Sequence, residues 1–507
     1  MNAGAVPDQQ EAGVSPVEPD PRRWKALVML AFVQFMLVLD VTVVNVALPR
    51  IKHDLGFSQP GLAWVVNGYV LMAGGFLLLG GRLADLFGRR RLFLLGVAVF
   101  ALASVVCGSA TVPGTLVSGR FVQGTGEALA APAALGLIAL LFPDVNERMK
   151  AMGIWGGISG LAGVSGVVIS GLLTDLASWR WIFFLNVPIA VVALVVVPRL
   201  VAESQMKRES KHVDFTGAII GTAGLVAIVD GLLQAATRPW GSGRVLLPLL
   251  GGVVLVGVMG LVEARSRAPF IPMRFFTNRT RLLANVFGLF FTAAFISYFF
   301  LMTLFQQQIL HFSPLRGGVS YVPFGLSMFV GVGLGTGLMQ KLGVKPLFAA
   351  GFFGVAIGLV LTSGMGVGTH YASGVLPGMI VIGVSSGLIM PGGAVAALHQ
   401  VTEQDSSLAS GVQNAVQQVG GALGLAGLVT LALRHALTGV QHGTAPDVAA
   451  TTGYALSFRV TAVVLTICGV LLLLLMENIS GQQPNQPAAS PAASPDGVAE
   501  RSDAVLA

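Results

Sequence analysis

Four ionisable side chains stand inside long apolar stretches of the sequence, away from their ends: Asp40, Arg120, Glu127 and Asp230. A charge at the centre of a membrane helix costs about 2.5–3.5 kcal/mol to insert, so such residues face a protein interior or a wet cavity and mark ion or substrate paths. Arg120 and Glu127 are seven residues apart, two helical turns, and share one helix face with Gln123 and Gly124 between them. A carboxyl near the middle of a membrane takes up and gives back a proton when its surroundings alternate between dry and cationic. Asp40, Glu127 and Arg120 are therefore candidates for proton coupling; the other reading of Arg120 and Glu127 is a fixed ion pair that holds helices together. Asp230 has no assignable cation in the membrane and reads as structural or peripheral.

Other chemistries find little support. Gly163-Val164-Ser165-Gly166 spells the G-x-S-G of intramembrane serine proteases, but all seven His fall at span ends or in loops, away from a serine that needs a base. No Gly-Lys dipeptide occurs, so a nucleotide-binding P-loop is absent from the sequence. Neither rings of like charge nor a filter-like segment points to a channel. Cys107 and Cys468 lie far apart in apolar stretches, with no metal-ligand spacing. The expectation is a protein that is not an enzyme and carries no metal or cofactor.

The elements that hold these residues follow from composition. Of 507 residues 54% are hydrophobic, 10% are charged and 66 are Gly; a soluble domain averages about 25% charged residues and about 7% Gly. Fourteen apolar runs are long enough to cross a bilayer, near 26–48, 61–81, 92–112, 114–142, 151–173, 181–200, 215–236, 245–263, 282–310, 317–340, 346–369, 371–398, 406–433 and 456–476. Residues 1–23 and 478–507 read as disordered tails, and the first span as an uncleaved helix. With the N-terminus in the cytoplasm, 21 of the 30 Lys and Arg fall inside and 7 outside. That bias sets the topology, puts both tails in the cytoplasm, and accounts for the net charge of +7 without nucleic acid. At about 1.5 Å per residue, Glu127 lies near the midplane, with Asp40 and Arg120 roughly 5 and 10 Å toward the outside.

Several motifs carry a resemblance. Gly81-Arg82-Leu83-Ala84-Asp85-Leu86-Phe87-Gly88-Arg89-Arg90-Arg91, between spans 2 and 3, resembles the signature loop of the major facilitator superfamily, G-x-L-a-D-x-x-G-r-K/R. In physical terms the two Gly allow a tight turn and close helix approach, and Asp85 can cap a helix N-terminus. Leu39-Asp40-Val41-Thr42-Val43-Val44-Asn45-Val46-Ala47-Leu48-Pro49, Arg120-Phe121-Val122-Gln123-Gly124-Thr125-Gly126 and Trp179-Arg180-Trp181-Ile182-Phe183-Phe184-Leu185-Asn186-Val187-Pro188 are similar to motifs of its 14-helix drug:proton antiporter branch. In one departure, the branch's helix-5 motif ends in G-P-x-x-G-G, whereas the matching positions here are Gly166, Val167, Ser170 and Gly171.

The resemblance, over about residues 24–477, implies an all-α integral membrane protein of 14 transmembrane helices, two six-helix bundles with inverted repeats plus two inserted linker helices. The bundles would span 24–200 and 276–477, with the inserted pair in 201–275. It implies alternating access in a bacterial cytoplasmic membrane, Asp40, Glu127 and Arg120 in proton coupling, and Gly81, Asp85, Gly88, Arg89 and Arg90 in a cytoplasmic gating loop. Span 13 carries Ser410, Gln413, Asn414, Gln417 and Gln418 at spacings of three and four; with Trp64, Asn67 and Gln306 these either line a cavity or join helices. Few fixed polar groups among many apolar ones suit a bulky lipophilic solute. The expected activity is export of lipophilic small molecules driven by the proton gradient, by a monomer whose partners are its substrate, protons and the bilayer; uptake by a facilitator or symporter of the same fold is the alternative. Val167 bears on that choice.

Overall fold

The computed structural model describes residues 21–203, 215–265, 277–401 and 406–479. Most of both tails, and parts of the connections around the inserted pair, lie outside the described residues. Fourteen helices are long and apolar enough to cross a membrane, and no strand occurs among the described residues. They are α1 (Arg23–Leu55), α2 (Gln59–Phe87), α3 (Arg89–Gly108), α4 (Pro113–Leu141) and α5 (Val145–Leu176), then α6 (Trp181–Leu200), α7 (Phe215–Gln234) and α8 (Gly243–Arg265). The last six are α9 (Arg279–Ile309), α10 (Pro314–Leu342), α11 (Val344–Thr362), α12 (Tyr371–Ala397), α13 (Ser406–Gln441) and α14 (Pro446–Leu475).

Helix ends are set by short polar caps. Ser58 accepts from the Gly61 amide at 3.1 Å, Asp144 from Glu147 at 2.8 Å and Asn278 from Arg281 at 3.0 Å, each satisfying a backbone donor that the first helical turn leaves free. Gly56 ends α1 at φ 70°, a conformation that suits a residue without Cβ. Helix α9 finishes in a π turn, Phe305–Ile309, which swings the consecutive Gln306 and Gln307 to different partners.

Among the first six helices, α2 and α3 pack on α4, while α5 and α6 pack on α1; among the last six, α12 packs on α10 and α11, and α13 on α9 and α14. Between apolar side chains and apolar lipid there is little hydrophobic drive, so close packing of small residues does the joining. A Cβ on Gly126 would sit 2.7 Å from the Phe100 amide nitrogen and 2.8 Å from the Gly96 carbonyl oxygen, and one on Gly124 would overlap the Tyr69 carbonyl. The two Gly of the helix-4 motif thus let α4 touch the backbones of α3 and α2.

The two sets meet along α2 and α13, where Gly74 and Leu78 of α2 lie against Gln418 and Gly411 of α13, and at the face away from the tails, here the far side. Gln307 Nε2 donates to the Val46 carbonyl at 2.7 Å, and Gly318 and Gly171 bring α10 and α5 into backbone contact at Val167, Pro314 and Leu315. On the tail-side half of α5, Gly153, Gly156 and Gly157 have nothing within 4 Å of a would-be Cβ. Of the glycines three apart on α5, Gly166 packs against Thr42 of α1 and Gly160 against the Phe329 ring of α10, while Gly157 and Gly163 are open. Helix α7 rests on both α2 and α13, and α8 covers α7.

Gly126→Ala is expected to lower the unfolding midpoint in detergent by the equivalent of about 1–3 kcal/mol, the cost of overpacking. Gly157→Ala meets no neighbour and should hold or raise it. Equal effects of the two substitutions would contradict the packing argument.

Candidate functional site

Asp40 of α1 and Arg120 of α4 form an ion pair, each side chain 1% exposed, so neither charge reaches water. Every other partner in the cluster is polar and neutral. Arg120 Nη1 also donates to Gln123 Oε1 at 2.8 Å, and its Nε donates to the Val65 carbonyl at 2.9 Å. Gln123 Nε2 donates to Asp40 Oδ1 at 2.8 Å and to Ser104 Oγ at 2.9 Å, while Asn186 Nδ2 donates to Asp40 Oδ1 at 2.9 Å. The guanidinium lies 4.1 Å from the centre of the Tyr69 ring. Five helices, α1, α2, α3, α4 and α6, therefore contribute to one charge cluster. The sequence signal for Gln123 and Asn186 was the pair of motifs that contain them; nothing in the pattern around Ser104 or Tyr69 singled them out.

Arg120 pairs across to α1 and not along α4, so the reading of Arg120 and Glu127 as a fixed pair gives way. Glu127 makes no ion pair among the described residues. Its side chain is half-buried, and its buried Oε2 has the buried Tyr69 hydroxyl as its polar neighbour, the two lying close without a well-formed hydrogen bond. A proton is the charge-compensating partner that can come and go at such a carboxyl. Asn67, on the same α2, is fully buried with both amide atoms unpartnered.

The signature loop forms a second cluster on the tail side. Gly88 takes φ 99°, which lets the chain turn between α2 and α3 within one residue. Asp85 does not cap α3 as expected; it lies in the last turn of α2 and receives Arg89 Nε at 3.1 Å and Nη2 at 3.0 Å. The cap comes instead from Glu203, whose carboxylate accepts the backbone amides of Arg90 at 3.3 Å and Arg91 at 3.2 Å, favourable for an anion at a helix N-terminus. Sequence reasoning missed Glu203 because it lies more than 110 residues downstream. Arg89 Nη1 reaches the Gly136 carbonyl at 2.8 Å and Arg90 Nη1 the Val201 carbonyl at 2.9 Å, tying the loop to α4 and the end of α6. The close helix approach falls at Gly80, whose Cβ would overlap the Ala128 carbonyl, while Gly81 has ordinary space at 3.7 Å from Pro132.

The remaining candidates separate. Gln306 is fully buried and accepts from Ser320 Oγ at 2.9 Å, within the second set of helices. Gln413 and Gln417 are half-buried and Asn414 is exposed; Gln417 lies beside Gly288 of α9 and Gln418 against Gly74 of α2. The lower part of the stripe thus joins helices. Trp64 lines a far-side recess with Asp230 that none of Gln306, Gln413, Asn414 and Gln417 lines. At the entry to α6, Trp179 Nε1 donates to Asp54 at 3.0 Å and Arg180 stacks on Trp179 at 4.4 Å, so the Trp-Arg pair fastens the ends of α1 and α5.

Asp40→Asn is expected to cost about 3–5 kcal/mol of stability, because it leaves Arg120 buried without a counter-charge. Combining it with Arg120→Gln should recover much of the loss in the unfolding midpoint. Additive losses would mean that the two charges do not depend on each other.

The profile of the Major Facilitator Superfamily matches residues 30–425. The chain is 38% identical to the puromycin resistance protein pur8 of Streptomyces alboniger over 91% of this chain and 92% of that protein. It is 36% identical to the lincomycin resistance protein of Streptomyces lincolnensis over 81% and 84%, and 35% identical to the cephamycin export protein CmcT of Amycolatopsis lactamdurans over 80% and 84%. Among solved structures, a peptide transporter POT in complex with sulfate shares the fold at a TM-score of 0.67 and 15% identity, covering 89% of this chain and 94% of that one. With fourteen membrane-length helices and these relatives, the chain is a multi-pass membrane protein and belongs to the major facilitator superfamily.

Proposed function

We propose that this protein exports lipophilic antibiotic-like molecules across a bacterial cytoplasmic membrane in exchange for protons, by alternating access, with both tails in the cytoplasm. The observation that carries the coupling is Glu127, a carboxyl in the middle of α4 with a buried oxygen that no cation pairs among the described residues, beside the Tyr69 hydroxyl and close to the Asp40–Arg120 ion pair. Glu127 is the group that takes a proton from the far side and gives it up on the tail side. Asp40 and Arg120 hold α1 and α4 together and set the field at Glu127. Contact at Gln307, Val167 and Gly318 holds α1 to α9 and α5 to α10 on the far side, and in the proposed cycle it is this contact that parts when substrate leaves outward. Relatives named for resistance to puromycin and lincomycin and for export of cephamycin support the outward direction and the substrate class. The membrane potential is sufficient, since a proton moving through 100 mV supplies about 2.3 kcal/mol.

Uptake by symport is the second reading, favoured by Val167 where the antiporter motif has Pro; α5 runs unbroken through it. Inverted vesicles with an acid interior separate the two. Addition of puromycin or lincomycin is expected to release protons from vesicles holding the wild type, and Glu127→Gln is expected to abolish the release. Substrate moving without protons in the wild type would leave facilitated transport; proton release preserved in the variant would remove Glu127 from the mechanism.

A further inference from the structure

At the far side, the first turns of α2 and α4 and the end of α7 border a wide-mouthed recess of about 650 Å³. Its walls are apolar and aromatic: Phe57, Trp64, Val117, Phe121 and Val226, with Asp230 as the charged residue of its lining. Trp64 and Phe121 stack at 5.8 Å between ring centres with planes 28° apart. Asp230 accepts one hydrogen bond, from Gln234 Nε2 to Oδ2 at 3.0 Å, and no Lys, Arg or His pairs with it among the described residues. A carboxylate four residues from the end of α7 sits about 6 Å inside that end, level with the aromatic belt where amphipathic molecules hold their polar ends.

A volume of this size suits a ligand of some tens of heavy atoms. Aromatic faces beside one unpaired carboxylate select a positive charge with an apolar body, through ion pairing and attraction to the ring faces. An anion would meet Asp230, and a sugar or phosphate would find too few donors. We propose that this recess, between the first set of helices and the inserted pair, is a second binding site, for lipophilic organic cations. It is separate from Asp40, Arg120 and Glu127 and does not depend on proton coupling.

Equilibrium binding of tritiated tetraphenylphosphonium to the purified full chain, in nanodiscs of phosphatidylcholine without any gradient, tests the site. Saturable binding is expected in the wild type, at least about tenfold weaker in Asp230→Asn and lost in Val226→Trp, which fills the recess. Tetraphenylborate, of the same shape and opposite charge, measured alone in a separate experiment, should show no saturable binding. Glu127→Gln should bind within about twofold of wild type, so failure of the export reading leaves this result intact and the reverse. Absence of saturable binding, or binding untouched by Asp230→Asn and Val226→Trp, would overturn the proposal. Phosphonium binding that appears only when phosphatidylcholine is replaced by maltoside micelles, which carry no ammonium group, would assign the recess to lipid ammonium headgroups instead and overturn its assignment to soluble cations.

Discussion

Two opposite charges buried where water cannot reach them have to be satisfied by the protein alone, and much of the first half of the molecule is arranged around that requirement. Asp40 and Arg120 come from helices 80 residues apart in sequence, and their neutralisation still leaves lone pairs and N–H groups to be met. Gln123, Ser104, Asn186 and the Val65 carbonyl meet them. Each of those partners fixes the rotation of its own helix about its axis, so the cluster sets how α1, α3, α4 and α6 face one another. Gly124 and Gly126 then permit the distances at which those bonds can form.

Beside this ion pair, Glu127 stands apart on the same helix. Two turns along α4 it carries a buried oxygen next to the Tyr69 hydroxyl, with no cation paired to it among the described residues. A family of rocking transporters needs both: fixed charge to keep a bundle rigid while it moves, and one group free to change its protonation state as access changes. The tail-side loop repeats the first kind of device with different residues. There, Glu203 holds the start of α3 and Asp85 holds Arg89, so the hinge between α2 and α3 is tied to α4 and to the end of α6.

Much of this was legible in the sequence. Fourteen spans could be counted because apolar runs of bilayer length are unambiguous, and Asp40, Arg120 and Glu127 stood out because charge in such runs is rare. What pairs with what was not legible. Arg120 and Glu127 share a helix face, but an arginine side chain is long enough to cross to α1, and spacing along one helix cannot express that choice. Glu203 escaped notice because a cap supplied from more than 110 residues away leaves no local pattern. Trp64 was read with the polar stripe of α13, whereas its side chain opens on the α7 side. Consecutive glutamines at the end of α9 looked equivalent until the π turn gave Gln306 and Gln307 different directions.

The inserted helix α7 is fastened unequally to its two neighbours. Toward α13 it is bonded: Thr430 Oγ1 donates to the Leu232 carbonyl at 2.6 Å, and Arg434 Nη1 to the carbonyls of Ala235 at 2.9 Å and Arg238 at 2.8 Å. Toward α2 the contact is side-chain packing, Phe76, Leu78 and Leu79 with Ala218, and Thr222 against Gly75. Directional bonds resist sliding, whereas an apolar seam can shear by small steps without leaving polar groups bare. Should the halves rock as proposed, these bonds would carry the inserted pair with the second half of the molecule, and the slip plane would run along α2. The far-side recess straddles that plane, with Trp64 on one bank and Asp230 on the other, so its width becomes a mechanical gauge of how far the two halves have turned.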